Sequence, residues 1–301
     1  MKNGITYEID KSVLLTIGMP VFNDVEFIDK SIQCIIDQTY RNWQLIISDD
    51  CSTDGSEEIC RHYANGHPNI TYIRQETNIG ISKNMRFLLR KANTPFFMWA
   101  GDDDLIEPKY IDTLVSLLTT NKNAIAAFTP YYKIDDTGKR ISGKIECDFR
   151  GKSPADRLKK FISQEDDAFG YGLFRAKDIH QVKFPKWWWP NRNQSYNNIF
   201  PSLCYYLSKG EYEYCNDEVL FSKRIKSDSY RNHSKSRYYN GIDETFRYIF
   251  RRFYLVIYSA IQISRASNLF FAVRMSPYLA HYWLIRSIIR HFTLIWNSKF
   301  K

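Results

Sequence analysis

Three consecutive carboxylates, Asp102, Asp103 and Asp104, stand at the end of the apolar aromatic run 96–100 (FFMWA). The run has the composition of a short buried strand, which Gly101 would end. Adjacent negative charges at the end of such a strand repel one another, and a divalent cation between them would offset this cost. Carboxylate oxygens suit magnesium or manganese, so Asp102 and Asp104 are predicted to hold a metal ion together with substrate phosphates. A turn of solvated surface acids is the alternative interpretation.

The elements that must position these acids alternate between strand and helix patterns. Short β-rich runs at residues 13–17, 43–48, 70–74 and 96–100 are predicted strands, and a helix is predicted after each of the first three. Asp24 is predicted to cap the first of these helices. The alternation predicts a parallel sheet in an α/β fold.

Ligands bind at the carboxyl ends of the strands in such sheets, so the loops that contain Pro20, Asp49, Asn78 and Asp102 are predicted to converge on one crevice. The first of these loops is predicted at residues 18–23. A carboxylate after the second strand can accept hydrogen bonds from a base or from ribose, which suits a nucleotide. Neither the GxGxxG nor the GxxxxGK[ST] phosphate loop occurs in the sequence. A diphosphate in this crevice is therefore predicted to be held through the metal.

Three stretches of this half of the chain resemble glycosyltransferase family 2, whose fold is GT-A. They are residues 16–56, 76–92 and 96–108, which include GMPVFND, ETNIG and WAGDDD in the order of the family. The resemblance implies a Rossmann-like GT-A nucleotide-binding domain with a mixed central sheet. It also implies transfer of a sugar, with inversion, from a nucleotide-activated donor to an acceptor hydroxyl.

By position, the resemblance implies roles for individual residues. Those that would face the nucleoside are Pro20, Phe22, Asp49, Asp50, Asn78, Gly80 and Lys83. Asp102 would lie near the ribose and the metal, Asp104 would coordinate the metal, and Asp103 would be shared between them or structural. The family most often uses uridine diphosphate as the carrier nucleotide.

The position that the resemblance implies for the catalytic base holds Asn197, and an amide cannot accept a proton at neutral pH. Asp166 and Asp167, shortly before the sequence GYG, are alternative bases. A chain that binds the donor with little or no transfer is another interpretation. His233, late in the chain, is predicted to contact the metal or the diphosphate. The alternatives are that His233 is a solvated loop residue, or that nearby arginines contact the phosphate.

The net charge of +9 comes entirely from the end of the chain. Residues 223–301 hold 15 Lys or Arg against three acids, a net +12, whereas residues 1–222 hold 27 bases against 30 acids, a net −3. Apolar and aromatic residues interleave with these bases in two or three predicted amphipathic helices. Their longest uncharged run, residues 253–264, is shorter than the roughly 20 residues that cross a bilayer. The segment is predicted to lie on an anionic membrane surface, with a dimerising or core-packing bundle as the alternative.

These patterns divide the chain after residue 222. Residues 1–222 are the predicted glycosyltransferase domain, with a donor half at 1–128 and an acceptor half at 129–222, and residues 223–301 are the C-terminal amphipathic helical segment. Six cysteines without metal-binding spacing, and an N-terminus without a secretory apolar run, predict a cytoplasmic protein that is peripheral on the inner membrane face.

The predicted function is metal-dependent, inverting sugar transfer in polysaccharide or lipid-linked glycan assembly. The predicted partners are a nucleotide-diphosphate sugar, a glycan or lipid-linked acceptor and the inner membrane leaflet, with a second copy of the chain as a further candidate. Nucleic acid is not predicted, because no nucleic-acid-binding module accompanies the basic stretch. A sugar nucleotidyltransferase is a third alternative, but its Gly-rich, Arg-containing opening loop does not match GMPVFND.

Overall fold

The computed structural model of the protein describes residues 14–164, 166–179, 199–227, 242–286, 288, 289 and 293. For residues 242–248 and 251 it describes the backbone only. Strands and helices alternate in the first part of the chain, as predicted. They are β1 (Leu15–Val21), α1 (Ile28–Ile36), β2 (Trp43–Asp49), α2 (Ser56–Gly66), β3 (Ile70–Arg74), α3 (Ile81–Lys91) and β4 (Phe96–Trp99). Ile28, Ile32 and Ile35 of α1 are buried, which confirms the helical spacing of that segment.

Two local predictions near β1 are wrong. The strand continues through residues 18–21, where a loop was predicted, because β1 stays paired with β2 as far as Val21. Asp24 does not cap α1 with its side chain, since the N-cap residue is Phe27 and makes no side-chain cap. Instead, the main-chain carbonyl of Asp24 accepts hydrogen bonds from the amides of Phe27 and Ile28. The Asp24 carboxylate therefore binds elsewhere.

The second part of the chain is less regular. Its elements are β5 (Leu105–Ile106), α4 (Tyr110–Thr120), β6 (Ala124–Phe128), β7 (Tyr131–Ile134), α5 (Pro154–Gln164), a 3₁₀ turn (Ala168–Tyr171), β8 (Leu173–Arg175), α6 (Ala176–Ile179), α7 (Ile199–Lys209), β9 (Glu211–Tyr214) and β10 (Phe221–Arg224). Two helices follow, α8 (Ile242–Ala266) and α9 (Leu269–Leu279), and α9 continues into a π-helical stretch (Ala280–Ile285).

Within the described residues, the main sheet has seven strands in the order β3-β2-β1-β4-β8-β6-β9. β3, β2, β1 and β4 run parallel, β8 is antiparallel to β4 and β6, and β9 is parallel to β6. This arrangement confirms the predicted α/β class with a mixed central sheet. It also places the carboxyl ends of β1, β2 and β4 at one edge, where ligands of such sheets bind.

A smaller sheet of the described chain joins β5, β10 and β7 in that order. β5 directly follows the three acids, and β10, which is distant in sequence, pairs antiparallel with it. The pairing brings Arg224 and Lys226 beside the acids. The predicted domain boundary after residue 222 falls inside β10.

The C-terminal helices pack on α5 and α7 through Trp283. This side chain is buried, its Nε1 donates to the carbonyl of Ile162 at 3.1 Å, and its ring packs against Phe161 and Phe200. α8 lies along α7. None of the described helices combines the length and the apolar character needed to cross a membrane.

Candidate active site

Asp49 ends β2 at the wall of the predicted nucleotide crevice and is fully buried. Its Oδ1 accepts a hydrogen bond from the Ser52 amide at 2.8 Å. Its Oδ2 accepts from the Tyr72 hydroxyl at 2.6 Å and from the Arg74 guanidinium at 2.7 Å. Both oxygens thus bind within the protein, and the contact of Asp49 with a nucleoside stays a prediction.

Hydrogen bonds to Asp50, just after β2, hold the loop that follows β3 in place. The Asp50 carboxylate accepts hydrogen bonds from the amides of Ile79 at 2.6 Å and Gly80 at 2.8 Å. Gly80 has a φ of 84°, a conformation that favours glycine. Beside it, Oδ1 of Asn78 is buried and has no hydrogen-bond partner among the described residues. A buried acceptor without a partner is costly, and a donor group of a base or ribose would satisfy it.

Pro20, Phe22 and Lys83 are the other residues that were predicted to face the nucleoside. Phe22 is 48% exposed, so its ring is accessible for stacking on a base. Its amide lies 3.4 Å from Asp102 Oδ2, which places the end of β1 next to the acids. Pro20 is partly exposed on β1, and Lys83 is exposed in the first turn of α3. Their nucleotide contacts stay predictions.

Asp24, Asp102 and Asp103 together form what we call the carboxylate cluster. Each offers one oxygen, and these oxygens lie within 4.8 Å of one another. Burial raises the pKa of Asp102 well above its ordinary value, and the charges of Asp24 and Asp103 raise it further. Burial likewise raises the pKa of Asp24 to about 6, against the lowering effect of Lys226. Acids that raise one another's pKa in this way favour a nearby cation.

The ammonium of Lys226 is such a cation. Its Nζ lies 2.6 Å from Asp24 Oδ2 and 3.0 Å from Asp103 Oδ2. Burial lowers the pKa of Lys226, but the charges of Asp103, Asp102 and Asp24 outweigh burial, so the pKa is raised.

Sequence reasoning missed both Asp24 and Lys226 as site residues. A signal existed for Asp24, because the loops that follow the parallel neighbours β1 and β4 must meet at one edge of the sheet. No comparable signal existed for Lys226, since only the pairing of β5 with β10 brings it to the acids.

Asp104 lies outside the carboxylate cluster. It is buried, and its Oδ1 accepts a hydrogen bond from the Arg224 amide at 2.8 Å, which ties the acids to β10. Burial raises the pKa of Asp104, and the charge of Asp103 adds to this effect while Lys223 opposes it. A Cβ at Gly101 would lie 2.6 Å from Asp104 Oδ2, so this glycine makes room for the carboxylate. The metal role of Asp104 stays a prediction, and its observed contact is with β10.

The carboxylate cluster fits a divalent metal ion. Three carboxylate oxygens close together are the ligand type that magnesium and manganese prefer. In addition, the site already contacts a positive charge, the Lys226 ammonium. Asp24, Asp102 and Asp103 are the residues that would hold the ion. His233, the other predicted ligand, lies outside the described residues.

Asp166 and Asp167 are the candidate bases that lie within the described residues. Asp167 forms an ion pair with Lys223, and both charges act on the pKa of Asp104. Asp166 precedes it, just before the 3₁₀ turn that leads into β8. Asn197, the position that the family resemblance implied for the base, lies outside the described residues.

Comparison with known proteins gives one family match and several relatives. Residues 16–183 match the model of glycosyl transferase family 2. Glycosyltransferase GlyA of Streptococcus pneumoniae serotype 4 is 32% identical over 179 residues, which are 56% of this chain and 25% of that protein. The minor teichoic acid biosynthesis protein GgaB of Bacillus subtilis is 30% identical over 125 residues, 41% of this chain and 13% of that protein. The chain thus spans a quarter or less of the length of these two relatives.

Solved structures with the same fold include two sugar-nucleotide complexes. S. aureus TarS 1–349 in complex with UDP-GlcNAc has a TM-score of 0.64 at 14% identity, over 89% of this chain and 71% of that one. The mannosyltransferase PcManGT of Pyrobaculum calidifontis, in complex with GDP-Man and Mn²⁺, has a TM-score of 0.54 at 15% identity, over 95% of this chain and 86% of that one. At these identities the likeness shows the fold, and it agrees with the predicted GT-A architecture.

Proposed function

Because the chain belongs to glycosyltransferase family 2, we propose that it transfers a sugar from a nucleotide-diphosphate donor to an acceptor hydroxyl, with inversion at the anomeric carbon. The observation that carries this proposal is the carboxylate cluster at the carboxyl ends of β1 and β4. The exposed Phe22 ring, next to Asp102, and the buried acceptor oxygen of Asn78 support a nucleoside site at this edge of the sheet. A cation at the cluster would hold the diphosphate that joins the nucleoside to the sugar.

In the proposed site, Phe22 stacks on the base and Asn78 Oδ1 accepts a hydrogen bond from the base or the ribose. Asp49 and Asp50 keep the surrounding loops in place through their hydrogen bonds. When a divalent ion is bound, it neutralises charge on the departing diphosphate. Asp167, on the acceptor side, takes the proton of the attacking hydroxyl.

A uridine-diphosphate sugar is the first candidate donor, and a guanosine-diphosphate sugar is the second. TarS and PcManGT, which share the fold, were solved with UDP-GlcNAc and GDP-Man respectively. The relative GgaB is named for minor teichoic acid biosynthesis. We accordingly propose that this chain acts in the assembly of a cell-surface polysaccharide.

A panel of sugar nucleotides tests the proposal. Purified full chain with Mn²⁺ is expected to bind one of the UDP- or GDP-sugars in calorimetry and to release the nucleoside diphosphate slowly by hydrolysis. EDTA should abolish both signals, because the diphosphate loses its cation, and added Mn²⁺ should restore them. Binding without any release of diphosphate would identify a donor-binding protein instead. No binding of any sugar nucleotide would contradict the proposal.

We further propose that the C-terminal helices lie on an anionic membrane surface at the cytoplasmic face. Residues 245–301 contain no Asp or Glu, so their bases are not neutralised within the segment. Leu269, Phe270 and Val273, in the first turns of α9, are 71%, 80% and 61% exposed. Exposed apolar side chains in an acid-free basic segment match a bilayer surface of anionic lipid. A lipid-linked acceptor would then be presented beside the domain that holds the donor.

Vesicle sedimentation tests the membrane proposal. The full chain is expected to sediment with vesicles that contain phosphatidylglycerol, and less so as salt is raised. The double variant Leu269→Ser/Phe270→Ser should bind at least about tenfold more weakly, because two apolar side chains no longer enter the lipid. Ile141→Ser, at another exposed apolar side chain, is the matched control and should bind as the unmodified chain does. Unchanged vesicle binding by the double variant would refute the proposal. If the double variant instead lost a dimer that the unmodified chain forms, these side chains would belong to a self-association surface.

A further inference from the structure

Lys226 has an unusual position for a lysine near a candidate metal site. Its Nζ contacts two members of the carboxylate cluster, Asp24 at 2.6 Å and Asp103 at 3.0 Å. Only about a quarter of the Lys226 side chain is exposed, and its Nζ also lies 5.2 Å from the centre of the Phe27 ring. This ammonium is therefore built into the site and does not belong to a solvated surface pair.

The main chain around Lys226 is fixed on both sides. The amide of Ile225 donates to the carbonyl of Ile134 at 2.8 Å, which extends the pairing of β10 with β7. The amide of Ser227 donates to Asp136 at 3.0 Å. The side chain of Lys226, with its four methylene groups, is thus the part of this segment that can change position while the backbone stays in place.

We propose that Lys226 is a tethered counter-ion: its ammonium occupies the cation position of the carboxylate cluster, and a divalent metal binds there by displacing it. The inference rests on the proposed use of a metal by this site. An ion bound to the same oxygens of Asp24 and Asp103, at the roughly 2.1 Å typical of magnesium, would lie very close to the present position of Nζ. Two positive charges that close repel strongly in a partly buried site, so the two cations alternate.

The exchange has a consequence for the donor. In the metal-free protein, Lys226 keeps the three acids together and prevents their mutual repulsion from opening the loops after β1 and β4. In the metal-bound protein, the displaced ammonium remains tethered next to the cluster, where the diphosphate of the donor would lie. Ammonium groups bind phosphate oxygens well, so the same lysine then favours donor binding.

Manganese affinity tests the exchange without any sugar nucleotide. In calorimetry with Mn²⁺ alone, Lys226→Met is expected to bind about tenfold more tightly than the unmodified chain, a change that corresponds to about 1.4 kcal/mol. Lys209→Met is the matched control: its side chain is similarly exposed, it pairs with the buried Asp178 at 3.2 Å, and that pair is not part of the cluster. This control should leave the Mn²⁺ affinity unchanged. Equal or weaker Mn²⁺ binding by Lys226→Met would overturn the inference.

A second measurement uses the unmodified chain, in case the Met variant does not fold. Acetylation of lysines, followed by mass spectrometry, is expected to modify Lys226 at least about threefold faster when Mn²⁺ is added, because the metal releases its ammonium from Asp24 and Asp103. Lys209 should react at the same rate with and without the metal. No change at Lys226 would overturn the inference. The sugar-nucleotide panel is independent of both measurements, so failure of the transferase proposal can be distinguished from failure of this one.

Discussion

Replacing Asp102 by Asn is expected to lower sugar transfer by about 10²- to 10³-fold, the effect typical of removing one preorganised electrostatic group from an active site. Asp102 belongs to the carboxylate cluster, and its Oδ2 lies 3.4 Å from the amide of Phe22, just after β1. The amide of asparagine keeps the shape of the carboxylate but removes its charge. A cation bound at the cluster would then be held less firmly and would offset less of the charge on the leaving diphosphate, so kcat should fall more than donor affinity.

The measurement is the rate of diphosphate release at saturating donor and Mn²⁺. Asp29→Asn is the matched control. Asp29 is an exposed acid on α1, and it accepts a hydrogen bond from the Tyr63 hydroxyl, which is not part of the cluster. The control should keep the turnover of the unmodified chain. If Asp102→Asn also retained turnover within about threefold, the cluster would not be the site of diphosphate stabilisation.

The parallel part of the fold could be predicted because its signals are local. The strand β4 is an apolar run that ends at a glycine, and the helix α1 repeats isoleucines at helical spacing, so each element is identifiable from its own residues. The extension of β1 beyond residue 17 could not be predicted in this way. Gly18 and Pro20 are poor strand residues by propensity, and their pairing with β2 overrides that preference.

The candidate site was predicted less completely than the fold. The sequence predicted Asp102 and Asp104 as metal ligands and left Asp103 as shared or structural, whereas the structure groups Asp103 with Asp102 and Asp24. The carboxylate of Asp104 accepts a hydrogen bond from the Arg224 amide, and its predicted metal role stays a prediction. Arg224 and Lys226 come to the acids only through the small sheet, a pairing between segments far apart in sequence. Non-local pairing of this kind leaves no periodic pattern in a single sequence.

Of the two candidate bases, we propose that Asp167 is the one that takes the proton. Both oxygens of Asp166 accept hydrogen bonds within the protein, one from the Tyr131 hydroxyl and one from the Ala168 amide at 2.8 Å. The Asp167 side chain is 23% exposed and forms an ion pair with Lys223, whose neighbour Arg224 contacts Asp104 through its amide. A base must be accessible to the acceptor hydroxyl, and this partial exposure is the reason for proposing Asp167 over Asp166.

Replacing Asp167 by Asn is therefore expected to lower turnover by about 10²- to 10⁴-fold while donor affinity stays unchanged, whereas Asp166→Asn should cost turnover much less. Because Asp167→Asn leaves the Lys223 ammonium without its Asp167 ion pair, part of the loss could reflect folding. The double variant Asp167→Asn/Lys223→Met removes both charges and should recover the melting temperature without recovering turnover. Recovery of turnover in the double variant would show that Asp167 acts only as the partner of Lys223, and a larger loss in Asp166→Asn would assign the base to Asp166.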